Sequence, residues 1–362
     1  MPLAVGANER ESPIQSAQLE PLQQIPQVEA VEITLNHQLL VYKSLGQPAP
    51  GVAPLDTPRG SRSSLGYHGA VRLLLLTARP DTEANRRLTA AAAALGVEPV
   101  LVDAAALAAL AGGRPALLER GADLLDPLPA AALARVGNWR PDSVLAALET
   151  AVDRGVATPN PPPAIRCGRD HWRTVRALAA AGLPVPETLA GADPEALAAA
   201  AADRLGFPVV VKQRRSRMGV GVIRCTARDQ LDAVLDSLWR LGDEVVVQRY
   251  CDAGGESVRL LVVGGQVVAG ARLRAAAGDW RSNAARGGHA VGHRPSPEEE
   301  QLAVAAAHAV GLGQCGVDLL PGERTVVVEV NPSPGFRHLE AATGVDVARA
   351  MVADALRREV RI

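Results

Sequence analysis

Near the end of the chain, the stretch "CGVDLLPGERTVVVEVNPSPG" (315–335) holds three oxygen-bearing side chains in an otherwise apolar context: Asp318, Glu329 and Asn331. Side chains two apart on a strand share a face, so Glu329 and Asn331 project together. A reversal around Pro321–Arg324 brings Asp318 roughly opposite them. Two carboxylates and an amide oxygen make a hard donor set suited to Mg²⁺, which keeps waters and phosphate oxygens as its other ligands. The plainer alternative is a polar strand end facing solvent. Like charges facing each other across a sheet repel, so the pair asks for a cation or a proton. The rigid Pro-Ser-Pro-Gly turn that follows restricts the backbone around Asn331.

Two other stretches could handle anions. Lys212 ends the apolar run "FPVVVK" and precedes the basic loop "QRRSRMGVGV" (213–222), with Gly219 and Gly221. Such a loop can lay backbone N–H groups on phosphates while the lysine supplies a point charge. It is neither a P-loop nor a dinucleotide fingerprint, and an ordinary hairpin is the alternative. The segment "GDWRSNAARGGHA" (278–290) gathers Arg281, Asn283 and Arg286 beside a Gly-Gly pair. It suits anion binding better than a core element, the alternative being a solvated loop.

These residues need elements to carry them. The apolar run 71–77, a helical stretch 81–95 and the run 96–103 read as β-α-β, an open α/β unit to about 160. "TPNPPP" (158–163) is proline punctuation, and a helix over 169–181 follows, ended by Gly182 and Pro184. Next come a helix at 193–205, the strand before the glycine loop, a helix at 228–241 and a strand at 244–250. A hairpin over 257–274 turns at Gly264-Gly265. A polar loop (276–294), a helix at 297–310, the hairpin 315–331 and a closing helix at 344–358 complete the pattern. Residues 1–69 read as a flexible extension, in which the alternation of 28–45 allows a short hairpin.

Composition sets outer bounds. The 362 residues are 48% hydrophobic but only 2% aromatic, so the core is built from Ala, Val and Leu. A formal net charge of −1 gives no field favouring nucleic acid or a membrane surface. Four cysteines without a C-x-x-C pair read as buried or neutral thiols. No uncharged run of membrane-spanning length and no secretory signal are visible, which makes the cytoplasm the expected location.

Taken in order, "VVVKQRRSRMGVGV", "VVQRY", "VRLLVVGGQVVAG", "GDWRSNAARGG", "GVDLL", "EVNPSPG" and "TGVDVA" resemble the RimK-like branch of the ATP-grasp carboxylate–amine ligases over about 70–360. The resemblance implies an α/β chain of the α+β ATP-grasp type. An N-terminal open α/β domain (70–165), a small central lid subdomain (166–245) and a C-terminal antiparallel-sheet subdomain (246–362) would enclose ATP. It implies that Lys212 touches the nucleotide phosphates and that Arg217, Gly219 and Gly221 belong to the lid loop. The backbone of Gln248, Arg249 and Tyr250 borders the adenine, and Arg281, Ser282 and Asn283 bind ATP. Asp318, Glu329 and Asn331 become ligands of two Mg²⁺ (or Mn²⁺) ions, with Glu329 bridging. Arg274, Arg281 and Arg286 are the expected catalytic cations, holding the transferred phosphoryl group or the oxyanion.

The chain also departs from that pattern. The loop has Ser216-Arg217-Met218 where Gly-Ser or Gly-Thr is usual, and Arg217 is placed to compensate. Ser257 stands where an acidic residue receives the ribose, and Glu256 is its neighbouring substitute. His171 replaces a lysine, and "FRHLE" follows the Pro-Gly turn. The expected reaction joins an amino-acid amine, glutamate favoured, to an acceptor carboxylate through an acyl phosphate, releasing ADP and phosphate. The acceptor is a small molecule, a peptide or protein C-terminus, a carrier protein, or a pterin- or deazaflavin-type cofactor; a homo-oligomer is in keeping with the family. A regulatory nucleotide-binding protein that has lost catalysis is the competing reading. Arg135 is read as a surface charge, the alternative being a contact on the acceptor side. His171, His289 and His338 are read as surface or capping groups, with His338 and Arg337 the alternatives for substrate contact.

Overall fold

The computed structural model describes residues 71–215, 221–276, 279–282 and 289–357. The hairpin expected at 28–45 lies outside them. The leucine run forms strand β1 (Arg72–Thr77), followed by helix α1 (Glu83–Ala94) and strand β2 (Glu98–Asp103). Three short strands, β3 (Ala108–Leu110), β4 (Ala116–Glu119) and β5 (Ala122–Asp123), make a small antiparallel sheet before β6 (Ala131–Arg135). β1 is the middle strand of a parallel β2-β1-β6 sheet, which explains its unbroken leucines: Leu73 to Leu76 are buried on both faces. The β3–β5 insertion escaped the sequence reading because its apolar runs are too short to show a period.

Helix α2 (Pro141–Asp153) leads to α3 (Pro162–Gly168) and α4 (His171–Ala180). The proline run therefore does more than punctuate. Pro162 opens α3 at its first position, where a missing N–H costs nothing. Asp170 then caps α4 by accepting the Arg173 N–H; α4 is the helix expected over 169–181, and α3 is an additional helix before it.

The central block comprises β7 (Thr188–Ala190), α5 (Pro194–Arg204), β8 (Val209–Gln213), β9 (Val222–Cys225), α6 (Arg228–Arg240) and β10 (Val245–Arg249). Its antiparallel sheet has the order β7-β10-β8-β9. Because β10 pairs with β7 and β8, this block runs through Arg249 and the boundary expected at 245 falls inside a strand. Its core of Leu197, Val209, Leu231, Leu235 and Val247 is separate from the rest.

The C-terminal block begins with β11 (Glu256–Val263) and β12 (Gln266–Arg274), joined at Gly264-Gly265. Both glycines have positive φ, 61° and 81°, as the two-residue hairpin turn requires. Strand β13 (His289–Gly292) occupies part of the stretch expected to be a loop, pairing with β12. Helix α7 (Pro297–Val310) starts with a Ser296/Glu299 capping box and ends at Gly311. Strands β14 (Gln314–Leu320) and β15 (Val326–Asn331) complete the β13-β12-β11-β14-β15 sheet. Helices α8 (Arg337–Thr343) and α9 (Val347–Leu356) close the chain; α8, carried by "RHLEAAT", was not anticipated.

Alternation divides this sheet into two faces. Val258, Leu260, Val262, Val317 and Leu319 share a core with Ala303, Ala306 and Val310 of α7 and with Leu74 and Leu145 of the N-terminal block. The opposite face sends Leu261, Val263 and Ala271 into a second core with Leu73, Leu88, Phe336 and Met351. N- and C-terminal blocks thus share both cores. Among the described residues no helix is long and apolar enough to cross a membrane.

Candidate active site

The face that buries Leu261 becomes polar toward one end of the sheet. Asp318 on β14 lies directly opposite Glu329 on β15, and Gly316 opposite Asn331. Direct cross-strand partners share a face, so the hairpin brings the three expected ligands together. An irregularity beside Asp318 sets Leu319 opposite Val327 and leaves Val328 over. Beyond Asn331 the chain folds back over Gly316, where an added Cβ would meet Pro334 Cβ at 3.0 Å. Ser333 donates its backbone N–H to Asn331 Oδ1 (2.9 Å), so the turn sits directly on the amide it was expected to fix. Two carboxylates and an amide, without His or Cys, fit a hard divalent cation. Among the described residues no cluster of three or more His, Cys, Asp or Glu side chains could hold a metal.

The row extends one strand further. Arg259 on β11 is the other cross-strand partner of Asp318, and its Nε and Nη2 reach the two carboxylate oxygens, the first at 2.6 Å. Burial pushes the Asp318 carboxyl up, against the pull of this guanidinium. The Asp318 charge in turn raises Arg259, which therefore stays a cation. Sequence reading passed over Arg259, although a single arginine inside "VRLLVV" was the available signal: a cation on a buried strand needs a partner.

Lys212 approaches from the central block. It lies at the end of β8, in register with Val246 and Val222. Its Nζ donates to Gln248 Oε1 at 2.7 Å, and Gln248 Nε2 donates to Thr188 Oγ1. Burial lowers the Lys212 pKa, opposed by the negative charges of Glu329 and Asp318, so the ammonium lies within electrostatic reach of both carboxylates. Two blocks thereby converge on one locus. Gly221, with φ 72°, sits against the Gln213 side chain. Arg217, Gly219, Asn283 and Arg286 lie outside the described residues.

The remaining cations and polar groups have partners. Glu256 lies between Arg272 (2.9 Å) and Arg274 (2.8 Å); the Arg272 hydrogen bond chiefly holds its carboxyl below the usual range. Arg281 pairs with Asp279 at 3.0 Å and donates to the Val222 carbonyl. Ser282 Oγ donates to Ser257 Oγ at 2.6 Å, which ties β11 to the segment expected from the sequence to bind ATP. Trp280 packs edge-on against Tyr250 with centroids 5.7 Å apart, and the Arg224 guanidinium lies over both rings. The Arg249 side chain is committed to Glu187 and the carbonyls ending α5.

Arg135 is not the surface charge expected. It is half-buried at the end of β6, donates to the Pro334 carbonyl at 2.7 Å and lies over the Phe336 ring. Burial lowers its pKa to about 10. His171 begins α4 and donates its backbone N–H to the Arg214 carbonyl. His289 and His338 are exposed, as is Arg337. All four thiols are free, with Cys225 and Cys315 buried, and burial raises each of them.

Comparison with known proteins bears on this geometry. The RimK-like ATP-grasp domain profile matches residues 168–355. A probable alpha-L-glutamate ligase 2 of Pseudoalteromonas atlantica is 33% identical over 290 residues, covering 78% of this chain and 94% of the relative. A RimK domain ATP-grasp protein of Sphaerobacter thermophilus superposes with a TM-score of 0.61 at 29% identity, over 79% of this chain and all of that one. The ATP-grasp ligase PsnB, complexed with a variant of its minimal precursor, Mg and ADP, gives 0.59 at 26% identity, over 80% and 98% of the two chains. ATP and Mg²⁺ follow from that kinship. With its polar sheet row in electrostatic reach of a half-buried lysine, the chain belongs to the RimK-like ATP-grasp family of ligases.

Proposed function

We propose that the protein joins the amine of an amino acid, glutamate favoured, to the carboxylate of an acceptor through an acyl phosphate, releasing ADP and phosphate. The observation carrying this reading is the register that sets Asp318 opposite Glu329 beside Asn331, with the Lys212 charge in reach of both carboxylates. Asp318, Glu329 and Asn331 would hold the two Mg²⁺ ions expected from the sequence. When bound, the metal neutralises phosphate charge as the γ-phosphoryl group moves. Lys212 supplies a fixed positive charge toward the triphosphate. Arg259 keeps the Asp318 carboxylate oriented, and Arg274 and Arg281 are the described cations assigned to the phosphoryl group and the oxyanion. No covalent nucleophile is needed; the residues orient two substrates and exclude water.

Support for glutamate comes from relatives named alpha-L-glutamate ligases. Support for a peptide acceptor comes from PsnB, solved with its minimal precursor. The test is product analysis with candidate amine and acceptor pairs. ADP and phosphate should appear only when both substrates are present, and steady AMP and pyrophosphate production would reject the reading.

A further inference from the structure

A crevice of about 130 Å³ opens beside the Pro-Ser-Pro-Gly turn, at the carboxyl ends of β1 and β6. Thr77, Arg79, Asn85, Arg135, Trp139 and Ser333 are among its lining residues, and none of the lining residues is acidic. Its floor is built by register: Thr77 lies directly opposite Arg135. Ser333 Oγ accepts the Val136 N–H at 3.0 Å, fastening the floor to the turn that follows Asn331. Arg135 uses Nη2 on the Pro334 carbonyl, while its Nη1 is shut off from solvent with no hydrogen-bond partner among the described residues. A buried, unsatisfied guanidinium N–H is costly unless something supplies an acceptor. Arg79 is exposed, and no carboxylate pairs with it or with Arg135 among the described residues. Helix α1 begins at the same crevice, adding the positive end of its dipole. Trp139, 56% exposed, forms the outer lip; it follows Gly137 and precedes Arg140, whose left-handed φ of 45° turns the chain there. Asp81 borders only the wider outer hollow.

Carboxyl ends of parallel strands are where open α/β sheets place ligands, and this one offers two guanidinium groups in a site without acidic walls. We propose that the crevice binds the non-reacting carboxylate of an acidic substrate, an amino acid or a carboxylate-ended peptide, and so presents that substrate to the row containing Asp318 and Glu329. The carboxylate accepts from the exposed Arg79 fork, with the Arg135 guanidinium lining the crevice beside it, a charge-assisted arrangement that favours planar, bidentate anions. The purpose of this binding rests on the ligase reading; the binding itself does not.

Calorimetric titration of the full chain without ATP tests it, with L-glutamate as probe, glutaramide as the uncharged control and inorganic phosphate as a competing anion. L-glutamate should bind and glutaramide should not. Affinity for L-glutamate should fall at least about tenfold in Arg79→Gln, an exposed position where folding is not at risk, and also in Arg135→Lys, which keeps the charge but loses the fork. Glu329→Ala, which under the ligase reading abolishes turnover, should bind L-glutamate as tightly as the parent chain. Failure of ADP release with retained, Arg79-dependent binding would therefore count against the ligase reading alone. Absence of L-glutamate binding, binding unchanged in Arg79→Gln, or binding of phosphate without L-glutamate would each overturn the proposal.

Discussion

The charged row Arg259–Asp318–Glu329 spans three neighbouring strands, and each member can be tested singly. Glu329→Ala removes a donor from the surface of a formed hairpin, so it should lower ATP-dependent turnover roughly 100- to 1,000-fold. Its thermal midpoint should stay within a few degrees of the parent; full activity would rule out the ligand role. Arg259→Gln strands a carboxylate that is only 12% exposed. Leaving one half of a buried pair uncompensated costs about 3 kcal/mol, visible as a lower melting temperature. Mg²⁺ should raise that temperature more in Arg259→Gln than in the parent, since a metal cation replaces the lost guanidinium charge. Equal shifts in the two proteins would show that Asp318 does not bind the ion. Asp318, Glu329 and Asn331 were readable because strand alternation and one turn suffice to juxtapose them. Arg259 was not, because its partner lies 59 residues away and only the β11–β14 register makes them meet. Arg135 was misjudged for the same reason: a charge beside Gly137 looks solvated until the Pro334 carbonyl and the Phe336 ring are set over it.

Among the elements, α4 shows how a helix cap can also tie two blocks together. Asp170 caps α4, and it also holds Arg214, beyond the end of β8, at 2.6 Å. Burial pushes the Asp170 carboxyl up, but hydrogen bonds from Arg214 and the Arg173 N–H outweigh it and hold the group below its usual range. A carboxyl depressed in the folded state stabilises the fold above its unfolded value of about 4 and loses that contribution as pH falls through the lower, folded value. Asp170→Asn keeps a good capping residue and removes only the charge. It should cost about 1–3 kcal/mol at neutral pH, with the difference from the parent shrinking in acid melts below pH 4. A difference that persists undiminished in acid would locate the effect in the cap. Long periodic elements such as α6 and α7, and hairpins with strong turn signals, were legible in the sequence. The β3–β5 insertion, α3, β13 and α8 were not. Each is short, and tertiary pairing rather than local period decides its state.

For the whole molecule, the distribution of cores predicts how it moves. The N- and C-terminal blocks share two apolar cores, whereas the central block has its own. The central block should therefore open as a separate unit, as contiguous substructures with their own packing do. Hydrogen exchange followed by mass spectrometry should show faster exchange over 194–240 than over 258–263 and 315–319. Addition of Mg²⁺ and ATP should slow it around 209–213 and 222–225, where the central block faces the carboxylate row. Uniform exchange across all three blocks would mean that they are not separable. The edge-on contact of Trp280 with Tyr250, with Arg224 of β9 over both rings, joins a C-terminal loop to the central block. Only four tryptophans occur in 362 residues, so with Trp139, Trp172 and Trp239 changed to Phe the chain would carry a single tryptophan where a C-terminal loop meets the central block, a built-in optical gauge of that contact.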